Sequence, residues 1–439
     1  MPTMNETMPD SLAPAGEQIS EWLATSLLVL CGFTISIGPA FEQIIGVNLS
    51  RAYIVFGAAL IGYWILFGKN RLQAVPLMFK LYLAFTFLYI FCTDFIFSTD
   101  GLSFRDTGQY RFRYDLVLDL EPRGIIILRY VAFILIGIAA ACLINTPKRL
   151  CWVGFSISAG LCSTVLPGGH NYFAEEFMET RLAGAFWDPN DLGALAFTTI
   201  FLNLIMLNIR QWKIPPRILI CALIAVECYI LLTSVSRGAI LAFAMGIAVM
   251  LALLPNFSRK FRFSALLIVF AIIIFITMPR SYLDTFILRL NPDFIQSTGG
   301  SNRLQSWTAY LQRFDRYWIF GVGFGLEKTQ ALLYDANLPK IYNPHNTYLL
   351  NLIQYGVTGL ILFLAGLYHY VRQTLSRLES PRNPVTASYM ALLIAWLTYI
   401  AFFDAISLRH WWFSLGIIAS MQHLPKNFKP SETAGQAES

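Results

Sequence analysis

Four basic side chains have the type and setting for chemistry: His345, Arg237, Arg303 and Arg181. His345 follows a proline in Asn343-Pro-His-Asn-Thr-Tyr348, where a hydrophilic segment gives way to an apolar one. An imidazole titrates close to neutrality, which makes it the commonest acceptor of a proton from a reacting hydroxyl. Arg237 lies in Thr233-Ser-Val-Ser-Arg-Gly238, and Arg303 stands four residues before Trp307. Arg181 opens Arg181-Leu-Ala-Gly-Ala-Phe-Trp-Asp-Pro-Asn190. A guanidinium keeps its charge and donates two parallel hydrogen bonds to a phosphate. Together these groups suit transfer from a lipid-linked phosphate or pyrophosphate, with the histidine taking a proton from a sugar hydroxyl. Each also has a plainer reading. His345 could simply be hydrogen-bonded at a helix start, Arg237 could snorkel to headgroup phosphate, and Arg303 and Arg181 could be solvated charges.

The elements that must position them are apolar helices. Of 439 residues, 56% are hydrophobic and only 13% charged, against roughly 45–50% and about 25% in an average soluble domain. The excess lies in long runs, which excludes a water-soluble or disordered chain and leaves an integral membrane protein. The spacing predicts an all-α fold with twelve spans near 22–39, 51–68, 76–97, 124–145, 150–166, 191–208, 216–235, 238–254, 264–279, 346–370, 385–403 and 410–424. The net charge of +6 reflects basic loops at an anionic inner leaflet, so no nucleic-acid partner is expected. Connections such as Lys69–Arg71, Lys148–Arg149, Arg210–Arg217 and Arg259–Arg262 carry basic residues almost without acids, whereas the alternate set mixes both signs. That bias puts both termini in the cytoplasm. The chain then divides into an N-terminal tail (1–21), spans one to nine (22–279), a large outer loop with amphipathic helices (280–345), spans ten to twelve (346–424) and a tail (425–439).

His345 and the four-residue spacing of Arg303 and Trp307 both fall in that outer loop or at its end. Leu304, Trp307, Leu311, Phe314 and Trp318 recur at threes and fours, which predicts an amphipathic helix capped by Ser301 or Asn302 and lying at the membrane boundary or against the bundle. A flexible Phe320-Gly-Val-Gly-Phe-Gly325 turn follows, then a short helix near 326–336. Those glycines make a poor phosphate loop, because no glycine precedes Lys328 and no strand precedes the turn. In span ten, Thr347, Asn351, Gln354 and Thr358 form a polar stripe that should face protein. Glu227, inside span seven, is expected to find a partner within the bundle. Asp188-Pro189-Asn190 reads as a turn, and Asp404 and His410 flank the last outer turn. No metal site or cofactor is expected, since no HExxH, carboxylate-rich cluster or CxxC pair occurs.

Four pieces occur in a telling order: Arg181 to Asn190, Ser236-Arg-Gly238, Arg303-x-x-x-Trp307 with Gly321-Val-Gly-Phe-Gly325, and His345-Asn-Thr-Tyr-Leu349 with Gly356 and Gly359. From roughly 180 to 365 the chain resembles the bacterial O-antigen ligase and O-antigen polymerase family of polytopic, GT-C-like glycosyltransferases. The resemblance implies a metal-independent, inverting transferase of the bacterial inner membrane, with its active site facing the periplasm. Its donor would be a glycan on undecaprenyl pyrophosphate, and its acceptor a lipid A–core sugar in a ligase or another glycan in a polymerase. It implies His345 as the base, Arg237 and Arg303 as holders of the pyrophosphate, and Arg181 as a further pyrophosphate-binding residue at a matching position. The chain departs from the family at Gln354, where many members carry an acidic residue. A flippase or transporter of lipid-linked sugar is the reading from another class. It would place its key charges near mid-membrane on broken helices.

Overall fold

Lipid offers the backbone no hydrogen-bonding partner, so a spanning segment must satisfy its own N–H and C=O groups, and a helix does so locally. The computed structural model describes residues 15–37, 52–67, 77–91, 123–165, 171–174, 179–183, 188–209, 214–254, 272–273, 275–291, 293, 303–333, 343–376, 383–405 and 408–421. Its helices are α1 (Ala15–Ile35), α2 (Ala52–Phe67), α3 (Leu77–Phe91), α4 (Arg123–Leu143), α5 (Pro147–Val165), α6 (Pro189–Asn208), α7 (Ile214–Thr233) and α8 (Arg237–Leu253). After these come α9 (Arg280–Leu290), α10 (Arg303–Leu311), α11 (Leu326–Ala331), α12 (Thr347–Ser376), α13 (Pro384–Tyr399) and α14 (Arg409–Ser420). Each expected span other than the ninth carries one of these helices, and the ninth is helical at 272–273 and 275–277. Three of these, over Pro189–Asn208, Pro216–Thr233 and Thr347–Gln373, are long and apolar enough to cross a membrane, and shorter apolar helices accompany them. This is the build of a polytopic membrane protein. The expectations for residues 1–14, most of the ninth span, segment 98–122, the caps Ser301 and Asn302, and the tail from 425 lie outside the described residues.

The all-α expectation needs one amendment. Strands β1 (Asn171–Ala174) and β2 (Glu179–Leu182) pair antiparallel, with Tyr172 opposite Arg181. They sit on the connection between α5 and α6, and β2 packs against α9.

The C-terminal helices thread among the N-terminal ones: α13 packs on α8 and α6, α14 on α4, and α12 on α3. Helices α6, α13 and α14 are buried on nearly every face, as expected of helices apolar all round. Between α4 and α14 small residues bring the backbones together; a Cβ on Gly416 would lie 2.3 Å from the Gly137 carbonyl oxygen. Glu227 finds its expected partner, because the Asn203 amide nitrogen lies 2.8 Å from both carboxylate oxygens and 3.1 Å from the Ser158 hydroxyl. The polar stripe of span ten also faces protein. Thr347, Asn351 and Gln354 are buried, and the Tyr82 hydroxyl donates to Asn351 Oδ1 at 2.8 Å.

Span ten is broken, which the sequence did not reveal. Within α12, Gly356 takes φ 68° and ψ −170°, a region open in practice to glycine alone. Residues 318–323 run beside the break and supply the missing bonds. Val322 and Gly323 donate to the carbonyls of Ile353 and Gln354 at 2.9 and 3.1 Å, while Val357 and Thr358 donate to those of Trp318 and Ile319 at 2.7 and 3.3 Å. The glycine turn of the outer loop is thus a seam sewn into span ten. Gly321, also at positive φ, passes so close that a Cβ would lie 2.3 Å from the Gln354 carbonyl.

Replacing Gly356 by alanine would force a disfavoured backbone and set a Cβ 2.2 Å from the Ile319 carbonyl oxygen. The strain alone is worth about 1–3 kcal/mol. Gly62, where an added Cβ would meet nothing within 4 Å, is the control. Thermal unfolding of the purified protein in nanodiscs should show a lowered midpoint for Gly356→Ala and an unchanged or raised one for Gly62→Ala. Equal midpoints would refute the seam.

Candidate active site at one end of the bundle

Asp188-Pro189-Asn190 is a helix start as well as a turn. Asp188 caps α6 by accepting from the Asn190 N–H at 2.8 Å, and Pro189 takes the first turn, where its missing N–H costs nothing. Asn190 then joins several elements. Its Oδ1 accepts from Arg181 at 3.1 Å and from the Ser236 hydroxyl at 2.8 Å, and its carbonyl accepts from the Tyr399 hydroxyl at 3.0 Å. Arg181 Nε also donates to the Ser234 carbonyl at 3.0 Å. Arg181, only 5% exposed, therefore ties β2 to the 234–236 turn and to α6.

That turn sets Arg237 in place. Val235 has φ 49°, an outlier for a β-branched residue, and Ser236 caps α8 through the Ala239 N–H. Arg237 and Arg289 of α9 brace each other: Arg237 donates to the Arg289 carbonyl at 3.4 Å, and Arg289 to the Val235 carbonyl at 3.5 Å. Two like charges are thereby held side by side.

His345 is fixed from three directions. The Trp307 indole donates to the Pro344 carbonyl at 2.5 Å, which holds α10 against the approach to His345. Arg303 stands one turn before Trp307 on the same face of α10, so their four-residue spacing carries its guanidinium to the histidine. Behind His345, the start of α12 locks onto the turn after α13. Thr347 donates to the Ile400 and Phe403 carbonyls and accepts from the Ala405 N–H, and the Asn346 N–H donates to Asp404 Oδ1 at 3.0 Å. Asn346 in turn caps α12 through the Leu349 N–H. His345 itself has φ 46°, and its ring lies 5.7 Å from that of Phe403. Strained residues of this kind gather at functional sites.

The electrostatics follow from the burial. Loss of solvent pushes the His345 imidazole below its ordinary pKa; Asp404 opposes this, Arg303 adds to it and Asp188 opposes it. Burial likewise raises Asp404, against the pull of His345, the Asn346 N–H and Arg303. Arg303 is lowered by burial, with Tyr399, Asp404 and Asp188 pulling it back up and Arg289 pressing it further down. His345 Nδ1 and Arg303 Nε are buried and have no hydrogen-bond partner among the described residues. The cluster thus holds a neutral imidazole able to accept a proton, beside the Arg303 guanidinium, whose unpartnered Nε leaves a donor for an anion. Helix α8 begins at Arg237 itself, after the Ser236 cap, which adds the partial positive charge of a helix N-terminus there.

The structure brings His345, Arg303 and Asp404 together, with Arg289 acting on Arg303; Arg237 joins them only through its bond to the Arg289 carbonyl, and Arg181 stands behind its turn, in the scaffold. Among the described residues, no group of three or more His, Cys, Asp or Glu could hold a metal ion. Residues 219–364 match the family described as O-Antigen ligase. Over that segment, part of a chain of 439 residues, the protein is similar to the O-antigen ligase family. No curated protein matches the chain. The O-antigen ligase segment contains Arg237, Arg289, Arg303, His345 and the break at Gly356, whereas Arg181 and Asp404 fall outside it. Sequence reasoning gave Asp404 no role in the site, read Asp188 only as a turn and passed over Arg289. No local pattern marks them, because each reaches the site from a separate element.

Arg181→Ala would leave the Ser234 carbonyl and Asn190 Oδ1 short of a donor. Charged hydrogen bonds of this kind contribute roughly 1.5–3 kcal/mol each. The expected outcome is a lowered unfolding midpoint, with Arg181→Lys no better, since one ammonium lacks the fork that reaches both acceptors. A midpoint unchanged in both variants would show that the brace is idle.

Proposed function

We propose that this protein is an O-antigen ligase-type glycosyltransferase, moving a glycan from undecaprenyl pyrophosphate to a sugar hydroxyl of lipid A–core at the periplasmic face of the inner membrane. The observation that carries this reading is a buried, unpartnered imidazole nitrogen beside a buried guanidinium, Arg303, whose Nε is unpartnered too. The acceptor hydroxyl attacks the anomeric carbon. Its proton passes to His345 Nδ1 as the bond to the pyrophosphate oxygen breaks on the opposite face, which inverts the configuration. The electron pair leaves with the pyrophosphate, and Arg237 and Arg303 hold the charge that develops there. Preorganised donors aimed at developing charge are commonly the largest catalytic contribution. Arg181 serves the pyrophosphate site through the turn it braces under Arg237.

The break in span ten does not favour a transporter. Discontinuous helices of transporters present free backbone groups to a substrate, whereas here residues 318–323 occupy them. Twelve spans, the domain limits given above and both termini in the cytoplasm belong to the same proposal, with the site on the opposite, periplasmic side.

Deleting the gene and running the cell's lipopolysaccharide on a gel tests the reading. Loss of all polymer from lipid A–core is expected. Retention of a single capped repeat would mean a polymerase, and unchanged lipopolysaccharide would rule the ligase out. In a purified assay, His345→Ala should lose about 10²–10⁴-fold in rate, the usual contribution of a general base. Arg237→Lys and Arg303→Lys should each lose activity, because a point charge lacks the fork; full activity in both would leave only a diffuse field.

The pH profile gives a signed test. Because the folded His345 is lowered, activity should persist as pH falls below about 6.5, the ordinary imidazole value, and be lost only at more acid pH. Asp404 raises the imidazole and Arg303 lowers it. Asp404→Asn should therefore move the acid limb to lower pH, and Arg303→Gln should move that of its residual activity to higher pH. An acid limb that stays put in both variants would mean another group titrates.

A further inference from the structure

The outer loop was expected to lie on the membrane boundary or against the bundle; the seam with α12 places part of it deeper. Thr347–Gln373 is an apolar helix of 27 residues, about 40 Å long at 1.5 Å per residue, against a hydrocarbon core of roughly 30 Å. The surplus is about 10 Å by the same arithmetic. Gly356 lies nine residues beyond Thr347, about 14 Å along the axis. Even if the whole surplus projected at the His345 end, the break would still fall inside the hydrocarbon. A tilt of about 20° cuts the surplus to about 8 Å and the distance to the break to about 13 Å, which leaves that order intact.

Trp318 and Ile319 are bonded to this break through their own carbonyls, so they share its depth. Their side chains point away from the protein, with Trp318 53% and Phe320 58% exposed. The exposed face of α12 below the break bears Ile361, Leu364 and Tyr368, a helical stripe that includes Val357, whose N–H donates to Trp318. The apolar tip thus continues the face that α12 shows to lipid. On its other side the turn is anchored, since Tyr317 is buried and its hydroxyl donates to the Tyr310 carbonyl at 2.8 Å. Helix α10 ends at Leu311, not at Trp318 as the stripe suggested. It buries Ser306, Ala309 and Tyr310 and leaves Leu304 and Leu311 outward. Arg316 is exposed on the same turn, and a long basic side chain there can reach toward headgroups.

We propose that residues 317–323 form a re-entrant segment whose tip, Trp318-Ile-Phe320, is inserted in the outer-leaflet hydrocarbon, with phospholipid acyl chains as its partner. Irregular backbone is tolerated at that depth only if its polar groups are satisfied, and the four bonds to α12 meet that condition. The insertion anchors the end of α10 in the bilayer. It thereby sets the height of Arg303 and His345 above the hydrocarbon, whatever reaction they perform.

The test is photocrosslinking of the full chain in nanodiscs of phosphatidylethanolamine and phosphatidylglycerol, with benzoylphenylalanine at position 320. Position 361 serves as a lipid-facing reference, and position 318 as a second reading should the first variant fail to fold. Irradiation should add the mass of one phospholipid at 320 or 318, as at 361. Reaction at 361 with no lipid adduct at the tip, or a crosslinked dimer there in its place, would overturn the insertion. Phe320→Asp gives an independent reading. A charge in hydrocarbon is costly, so its unfolding midpoint should drop in nanodiscs, while Gln312→Asp leaves it unchanged. Equal midpoints for the two variants would put the tip in water.

Discussion

Backbone polar groups that lose their partners where water cannot reach them must find others, and α12 shows this requirement at both of its irregular places. At its start, the N–H groups of Asn346 and Thr347 are taken up by the turn after α13. At Gly356, the four backbone groups that two helical bonds would have paired, the carbonyls of Ile353 and Gln354 and the N–H groups of Val357 and Thr358, bond instead to residues 318–323. Each unsatisfied group in hydrocarbon costs several kcal/mol, far more than a typical exposed hydrogen bond contributes. The outer loop is therefore fastened to span ten by necessity, and His345 and Arg303 are carried into register by that fastening.

The site built on this frame gathers like charge. Arg237 and Arg289 brace each other through backbone carbonyls, and Arg289 acts on Arg303. Asp404 and Asp188 offset part of this field at Arg303 and His345. Their pull does not overcome the burial of the imidazole, so the histidine stays on the neutral side, as a proton acceptor requires. The unpartnered Arg303 Nε and the N-terminus of α8 at Arg237 suit an anion. The strain at Val235 and His345 is held by the capping and turn bonds around it.

The family segment covers residues 219–364, yet the site reaches beyond it on both sides. Arg181 braces the turn before Arg237 from the strand pair, and Asp404 engages the residue after His345 from the turn following α13. The chemistry-bearing residues are contiguous with the family's pattern, and their supports come from elsewhere in the chain.

Much of this was legible in the residues alone. The apolar runs called for helices because no other segment can span lipid without a partner strand, and the described helices fall where those runs lie. The polar stripe of span ten had to face protein, since lipid cannot satisfy it. The pairing of Arg303 with Trp307 encoded a helical turn and hence a shared direction. Sequence could not show that span ten breaks, because the break depends on a backbone strand from the outer loop, and glycines at 321 and 356 fit many conformations. Nor could it bring Asp404 or Arg289 to the histidine, since neither carries a local signature of its distant neighbours. Composition and periodicity thus determined which stretches form apolar helices and which faces turn inward, both properties of short stretches of chain. Only the tertiary structure decided which charges meet, because that depends on contacts between elements tens to hundreds of residues apart.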